Sequence, residues 1–282
     1  MIDVLHHALE LEGDRTLRVL EAGQGPPVVL IHGALATADD MLLGPFERLS
    51  REYRVLAVDR PGHGLSRRDR FEAAPRRQAE LIREGLSELD VERPLLVGHS
   101  FGGMVALAWA AAWPGEVAGL VLVGPMMRPE FRLMEHLLLA PRATPGAGPL
   151  LNAASQESLD PALLKTLQKT MFLPQPVPER WERGFPDELV LDSMVAEGED
   201  AAALLTPSAL IDIPRIAAPA HILYGGEDRV VDPRRHAIPL NALLRNSRLQ
   251  RLPGLGHMAH HFAIDEVAAA VDGLAAQQTR AA

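Results

Sequence analysis

The chain predicts an α/β fold: a mostly parallel, eight-stranded sheet flanked by helices and interrupted by one helical insertion. Three observations carry this. Short β-rich runs alternate with longer helical patterns, the rhythm of parallel strands joined by helical crossovers. The runs are almost wholly apolar instead of alternating, as expected when helices cover both faces of a sheet. The rhythm then breaks between Pro125 and about Ile213. The core is therefore expected in residues 1–125 and 214–282, and the helical insertion in 126–213.

The elements follow in order. A hairpin is expected from His6–Leu11 and Thr16–Glu21 around Glu12-Gly13-Asp14. Strands are predicted at Val28–Ile31, Val55–Val58, Leu95–Val97 and Leu120–Val123. Arg76–Leu89 carries apolar residues at helical spacing, and Phe101–Trp113 is an Ala-rich helical run that stops at Pro114-Gly115. Inside the insertion, the turn-forming run Pro141–Pro149 precedes Asp160-Pro161, where an N-cap residue and a proline open a helix to about Met171. Strands at Ala220–Tyr224 and Arg248–Leu252 and a helix over Ala263–Ala276 close the chain.

Composition removes whole classes of function. The 28 Lys plus Arg against 37 Asp plus Glu give a net charge of −9, with no basic block to follow a phosphate backbone, so nucleic acid is not an expected partner. With no Cys, thiol nucleophiles, thiolate metal sites and disulfides are excluded. The first residues, MIDVLHHALELEG, lack a basic stretch followed by an apolar one, and the longest apolar run, Met104–Trp113, is too short to span a bilayer. The expectation is a soluble, cytoplasmic protein without a membrane span.

Gly98-His99-Ser100-Phe101-Gly102 is a G-x-S-x-G sequence with a predicted strand before it and a helix after it. A strand-to-helix turn that tight needs glycines where side chains would collide, and it pushes the serine into open space. The Phe101 amide then lies in the first turn of a helix, where unpaired N–H groups favour negative charge. A serine hydroxyl is a weak nucleophile and needs a base and an orienting acid. Asp228 and His257 follow the two late strands and so reach the same sheet edge as Ser100, the edge where open α/β sheets bind ligands. Glu227 and Asp232 are the rival acids, although Asp232 before Pro233 suits an N-cap. His260 and His261 are the rival bases. A metal reading of His257, His260 and His261 lacks both an HExxH pattern and a carboxylate at ligand spacing.

A second oxyanion donor is expected from the Ala34 amide, in His32-Gly33-Ala34 after the strand Val28–Ile31. His32 reads as ordering that loop. Thr37-x-x-Asp40 has the form of a capping box, which makes Asp39 and Asp40 structural.

With His32-Gly33, Asp59-Arg60-Pro61-Gly62-His63-Gly64-Leu65-Ser66, the serine elbow, Gly226-Glu227-Asp228 and Gly256-His257 in this order, the chain resembles the α/β-hydrolase superfamily over nearly all its length except the insertion. The resemblance implies a Ser100, Asp228, His257 triad, a structural Asp59–Ser66 loop that includes His63, and a helical cap made from the insertion. Ser100 stands where epoxide hydrolases and haloalkane dehalogenases of the family carry an acid. The run HGALATADD has neither the HGGPG of proline iminopeptidases nor the GPG-like run usual in carbon–carbon bond hydrolases, although the latter often share a GHSFGG-like elbow.

The implied chemistry is hydrolysis of small to medium, largely hydrophobic carboxylic esters through an acyl-enzyme, with no metal or organic cofactor. Carbon–carbon hydrolysis of ring-cleavage diketones, lactonase or perhydrolase activity, and a non-enzymatic ligand receptor are the alternatives. Leu137-Leu138-Leu139, Leu150-Leu151, Met171-Phe172-Leu173 and Trp181 are the apolar material of the cap, mostly its core. Arg128, Arg132, Lys165 and Lys169 are its candidate partners for a substrate carboxylate, or a solvated face.

Overall fold

The computed structural model describes residues 2–130, 139–155 and 160–281. Its sheet has eight strands: β1 (Leu5–Glu10), β2 (Thr16–Ala22), β3 (Pro27–Ile31), β4 (Arg54–Val58), β5 (Leu95–His99), β6 (Gly119–Val123), β7 (Ala220–Gly225) and β8 (Ser247–Leu252). Their spatial order is β1-β2-β4-β3-β5-β6-β7-β8. The β1–β2 and β2–β4 pairs are antiparallel, and every other pair is parallel. This is the α/β-hydrolase architecture that the resemblance implied.

The order places β3 beside β5, with β4 on the far side of β3. Chain direction across the sheet therefore reverses between β3 and β5, and a crevice opens outside their carboxyl ends. The His32-Gly33-Ala34 loop leaves β3 and Ser100 leaves β5, so the two flank that crevice.

Helices are numbered along the chain: α1 (Ala38–Met41), α2 (Glu47–Leu49), α3 (Pro75–Ser87), α4 (Phe101–Ala112), α5 (Ala147–Ser155), α6 (Asp160–Phe172), α7 (Glu179–Gly184), α8 (Asp187–Asp192), α9 (Met194–Ala203), α10 (Ala237–Leu243) and α11 (Ile264–Ala281). One face of the sheet is covered by Leu81, Ile82 and Leu86 of α3, Met104 to Ala111 of α4, and Leu240 of α10. The other is covered by Phe46, Leu49 and, from α11, Val267, Val271 and Leu274. This double coverage is why β3, β5 and β6 read as unbroken apolar runs. The alanines of α4 let it lie close against the sheet while keeping high helix propensity.

Helices α5 to α9 lie between β6 and β7 and have a core of their own. Leu164, Phe172, Trp181, Phe185, Val190 and Met194 pack together and onto Leu35, Ala36 and Met258 of the sheet domain. Trp181 stacks on Phe185 with centroids 4.2 Å apart and meets Phe172 edge-on at 5.1 Å. The final helix runs past the predicted Ala276 to Ala281, and the predicted helix ends at Leu89 and Trp113 fall at Ser87 and Ala112. Among the described residues, no helix is long and apolar enough to cross a membrane.

Candidate active site

Ser100 sits between β5 and α4 with φ 51° and ψ −116°, a conformation costly for any residue with a Cβ. The glycines around it are sterically required. A Cβ on Gly98 would lie 2.7 Å from the Gly102 carbonyl oxygen, and one on Gly102 would collide with the carbonyl oxygens of Ile31 and His32. The turn is held by Ser100 N–H donating to Val123 O at 3.1 Å and by Ser100 O accepting from Met126 N at 3.0 Å.

The loops after β7 and β8 bring Asp228 and His257 to the same place. His257 Nδ1 donates to Asp228 Oδ2 at 2.8 Å, while Asp228 Oδ1 accepts from the amides of Val230 and Val231, both at 2.9 Å. Burial pushes the Asp228 carboxyl upward. The His257 ring, its hydrogen bond and the Val231 and Val230 amides outweigh this and hold it below the ordinary aspartate value. The buried acid thus stays ionised and fixes the proton of His257 on Nδ1, leaving Nε2 with its lone pair. Ser100 and His257 line one cavity but are not hydrogen-bonded to each other; such contacts commonly tighten only around substrate.

Ala34 and Phe101 line that cavity too, and among the described residues neither amide has a hydrogen-bond acceptor. The five residues expected from the sequence, Ser100, Asp228, His257, Ala34 and Phe101, are therefore gathered at one sheet edge. Of the rivals, Asp232 Oδ1 accepts from Arg234 N at 2.9 Å in a local turn, and Glu227 is exposed near Arg251. His32 orders its loop, as expected: Nδ1 donates to Gly33 O at 2.8 Å and Nε2 accepts from Arg60 N at 2.9 Å.

The capping box is corrected by the structure. Thr37 does accept from Asp39 N at 3.3 Å, but the Asp40 carboxylate does not return to Thr37. It accepts instead from His260 Nε2 (2.9 Å), His261 Nε2 (2.8 Å) and the Trp181 indole (3.1 Å), so it ties the insertion and the last loop to α1. A short local motif could not reveal partners 141 to 221 residues away.

Among the described residues, two buried clusters carry metal-type ligands: Asp40 with His260 and His261, and His63 with Glu197 and Asp200. In the first, both Nδ1 atoms are buried without a partner. Ligation through Nε2 would leave two buried Nδ1–H donors unsatisfied, whereas Nε2–H donation to Asp40 leaves only bare lone pairs, the cheaper arrangement. In the second, Arg60 and Arg68 already pair with Asp200 at 2.5 and 2.8 Å, and their positive charges oppose a third cation.

The cavity has a volume of about 440 Å³ and its wall is mainly apolar. The insertion supplies Leu139, Leu167, Met171, Ala201 and Leu204. Phe172 and Trp181 belong to the core of the insertion, while Leu150, Leu151 and Leu173 are exposed. Leu137, Leu138 and Arg132 lie outside the described residues. Arg128 is exposed, and Lys165 and Lys169 line a separate depression beside Trp181, so these three of the basic partners suggested for a substrate carboxylate stay off the cavity. Arg229 lines it instead, together with Glu197 and Asp200, which no local pattern marked.

The sequence pattern of the alpha/beta hydrolase family matches residues 28–270. A pimeloyl-[acyl-carrier protein] methyl ester esterase of Chromobacterium violaceum is 31% identical over 220 residues, covering 74% of this chain and 78% of that protein. A 2-hydroxy-6-oxo-2,4-heptadienoate hydrolase of Pseudomonas putida is 28% identical over 253 residues, covering 88% of each. The solved esterase from Exiguobacterium antarcticum shares the fold with a TM-score of 0.77 at 22% identity, over 95% of this chain and 98% of that one.

Proposed function

Because the chain belongs to the alpha/beta hydrolase family, we propose that it is a serine hydrolase cleaving carboxylic esters of small to medium, largely hydrophobic substrates through an acyl-enzyme. The observation that carries the reading is the joint arrangement of a strained, cavity-facing Ser100, an imidazole fixed by a buried carboxylate at 2.8 Å, and two amides without acceptors.

In this reading, Ser100 Oγ attacks the ester carbonyl carbon while His257 Nε2 takes its proton. Charge developing on the carbonyl oxygen is held by the Ala34 and Phe101 amides, which are already oriented and so need no reorganisation. The imidazolium, stabilised by Asp228, returns its proton to the leaving alkoxide. Water then attacks the acyl-enzyme with His257 again as base and frees the acid. None of these steps calls on a metal or organic cofactor. The insertion acts as a cap whose apolar side chains close over the acyl group and set its length.

The test is turnover of p-nitrophenyl esters with acyl chains of two to sixteen carbons, with Ser100→Ala in parallel. Turnover should peak at short or medium chains and fall about a millionfold in the variant, equivalent to about 8 kcal/mol. Activity retained by Ser100→Ala would reject the assignment.

One observation favours a second reading. Arg229 is the only Lys or Arg lining the cavity among the described residues, and it would suit the carboxylate of a ring-cleavage diketone. Decay of such a diketone by a protein inert toward p-nitrophenyl esters, yet labelled by a fluorophosphonate at Ser100, would select carbon–carbon hydrolysis.

A further inference from the structure

We infer that Glu197, on helix α9 of the insertion, is a positioning residue that sets the Ala34 oxyanion donor, so that seating the insertion assembles the oxyanion hole. The inference rests on the serine-hydrolase reading.

Leu35 follows Ala34 with a φ of +53°. A leucine there costs about 1–2 kcal/mol relative to a right-handed or extended conformation, so something must hold it. The holding contact is Leu35 N–H donating to Glu197 Oε1 at 2.6 Å, a short charge-assisted bond to a carboxylate whose side chain is 2% exposed. The peptide on the other side of Ala34 is held as well. Gly33 O accepts from His32 Nδ1 at 2.8 Å and from Arg60 Nη2 at 3.3 Å. Since the Gly33–Ala34 peptide is planar and trans, fixing the Gly33 carbonyl aims the Ala34 N–H the opposite way. Ala34 is thus clamped between two anchored peptides, and the anchor on its far side comes from α9.

Glu197 is itself fixed. His63 Nε2 lies 3.3 Å from Glu197 Oε1 and Arg60 Nη2 lies 3.7 Å from it. Arg60 also pairs with Asp200, one turn along α9, and its guanidinium covers the Phe101 ring at 4.5 Å. The Asp59–Ser66 loop therefore connects α9 to both oxyanion residues. If Glu197 is lost, Leu35 can relax to negative φ, Ala34 is held only through Gly33, and its amide is no longer fixed toward where the oxyanion would form.

Three substitutions separate reach from charge. Glu197→Asp keeps the charge facing Arg60 and His63 but falls about 1.5 Å short of Leu35 N, one carbon–carbon bond. Glu197→Gln keeps the reach and loses the charge. Glu197→Met keeps neither. The readouts are kcat and KM for p-nitrophenyl butyrate, Tm, and inhibition by an alkyl trifluoromethyl ketone and by its secondary alcohol. The ketone adds Ser100 Oγ to its carbonyl and puts an oxyanion in the hole; the alcohol fills the same pocket without one.

Glu197→Asp should lose about 10²-fold in kcat with KM within about threefold, the scale of removing one oxyanion donor. The ketone's inhibition constant should rise by the same factor and the alcohol's should not. Glu197→Gln should keep kcat within about threefold of wild type at a lowered Tm. If Glu197→Asp does not fold, Gln against Met decides, since both lack the charge and only Gln has the acceptor: a loss in Met alone supports the inference. Equal kcat in that pair, wild-type kcat in Glu197→Asp, or a loss shared by KM and the alcohol would overturn it. Wild-type protein that neither turns over esters nor is labelled by a fluorophosphonate would overturn the serine-hydrolase reading itself, and this inference with it.

Discussion

Asp228 accepts from His257 Nδ1 at 2.8 Å with one carboxylate oxygen while two backbone amides occupy the other. The carboxylate therefore has no freedom to rotate, and the imidazole it orients inherits that rigidity. Asp228→Asn keeps the shape but presents an amide that can donate to Nδ1, which favours the tautomer with its proton on Nε2. That tautomer cannot accept the Ser100 proton. We predict a loss of about 10⁴ in kcat for p-nitrophenyl butyrate with little change in KM, measured by steady-state kinetics. A variant within tenfold of wild type would remove Asp228 from the proposed triad.

The strain at Ser100 gives a prediction opposite in sign for stability. At φ 51° and ψ −116°, glycine is at ease and alanine is not. Ser100→Gly should therefore be more stable than Ser100→Ala by about 1 kcal/mol, the net of strain relieved and extra chain entropy in the unfolded state. Both should be inactive. Equal denaturation midpoints for the two would mean that the turn carries no strain.

The residues of the proposed triad are legible because each follows a strand end, and strand ends are local features. Ser100 and Asp228 are marked by glycines and preceding apolar runs, and His257 by the glycines of Pro253-Gly254-Leu255-Gly256 after the last strand. Glu197 sits in Val195-Ala196-Glu197-Gly198-Glu199-Asp200, which reads as an ordinary acidic helix. Its partner Leu35 is 162 residues away, and only the docking of the insertion brings them together. Asp40 misled for the same reason: the local capping pattern was half right at Thr37, and the side chain went to His260 and His261. The inner strands are legible almost to the residue because burial on both faces writes itself into composition. Helix packing across the insertion leaves no such trace.

Gly102 is the elbow position most sensitive to a single methyl group. Its Cβ would meet the carbonyl oxygens of Ile31 and His32, backbone atoms at the end of β3 that cannot swing aside as a side chain would. Gly115, by contrast, has nothing near its absent Cβ. Gly102→Ala should lose more than about 3 kcal/mol or fail to accumulate as folded protein, since overpacking against backbone exceeds the usual cost of extra core volume. Gly115→Ala should stay within about 1 kcal/mol of wild type. Urea unfolding of the two variants checks both.

His260 makes acid stability a direct readout of the buried cluster. Burial is the largest influence on it and lowers its pKa to about 4; Asp40 opposes this, while His261 and His257 add to it. The rings of His99 and His261 each lie 4.2 Å from it. In the unfolded chain the same group titrates near 6.5, so between about pH 6.5 and 4 the unfolded state binds the proton that the folded state refuses. Stability from this group is fully present above pH 6.5 and is lost as pH falls toward 4, by about 2 to 3 kcal/mol. His32 and His99, also held well below the ordinary histidine value by burial first, act in the same direction. His260→Gln retains an N–H for Asp40 and removes the titration. Its denaturation free energy should therefore change less between pH 7.5 and 4.5 than that of the wild type, by about 2 kcal/mol or more. Parallel pH profiles for the two proteins would show that His260 already carries its proton in the folded state, with Asp40 as its counter-ion.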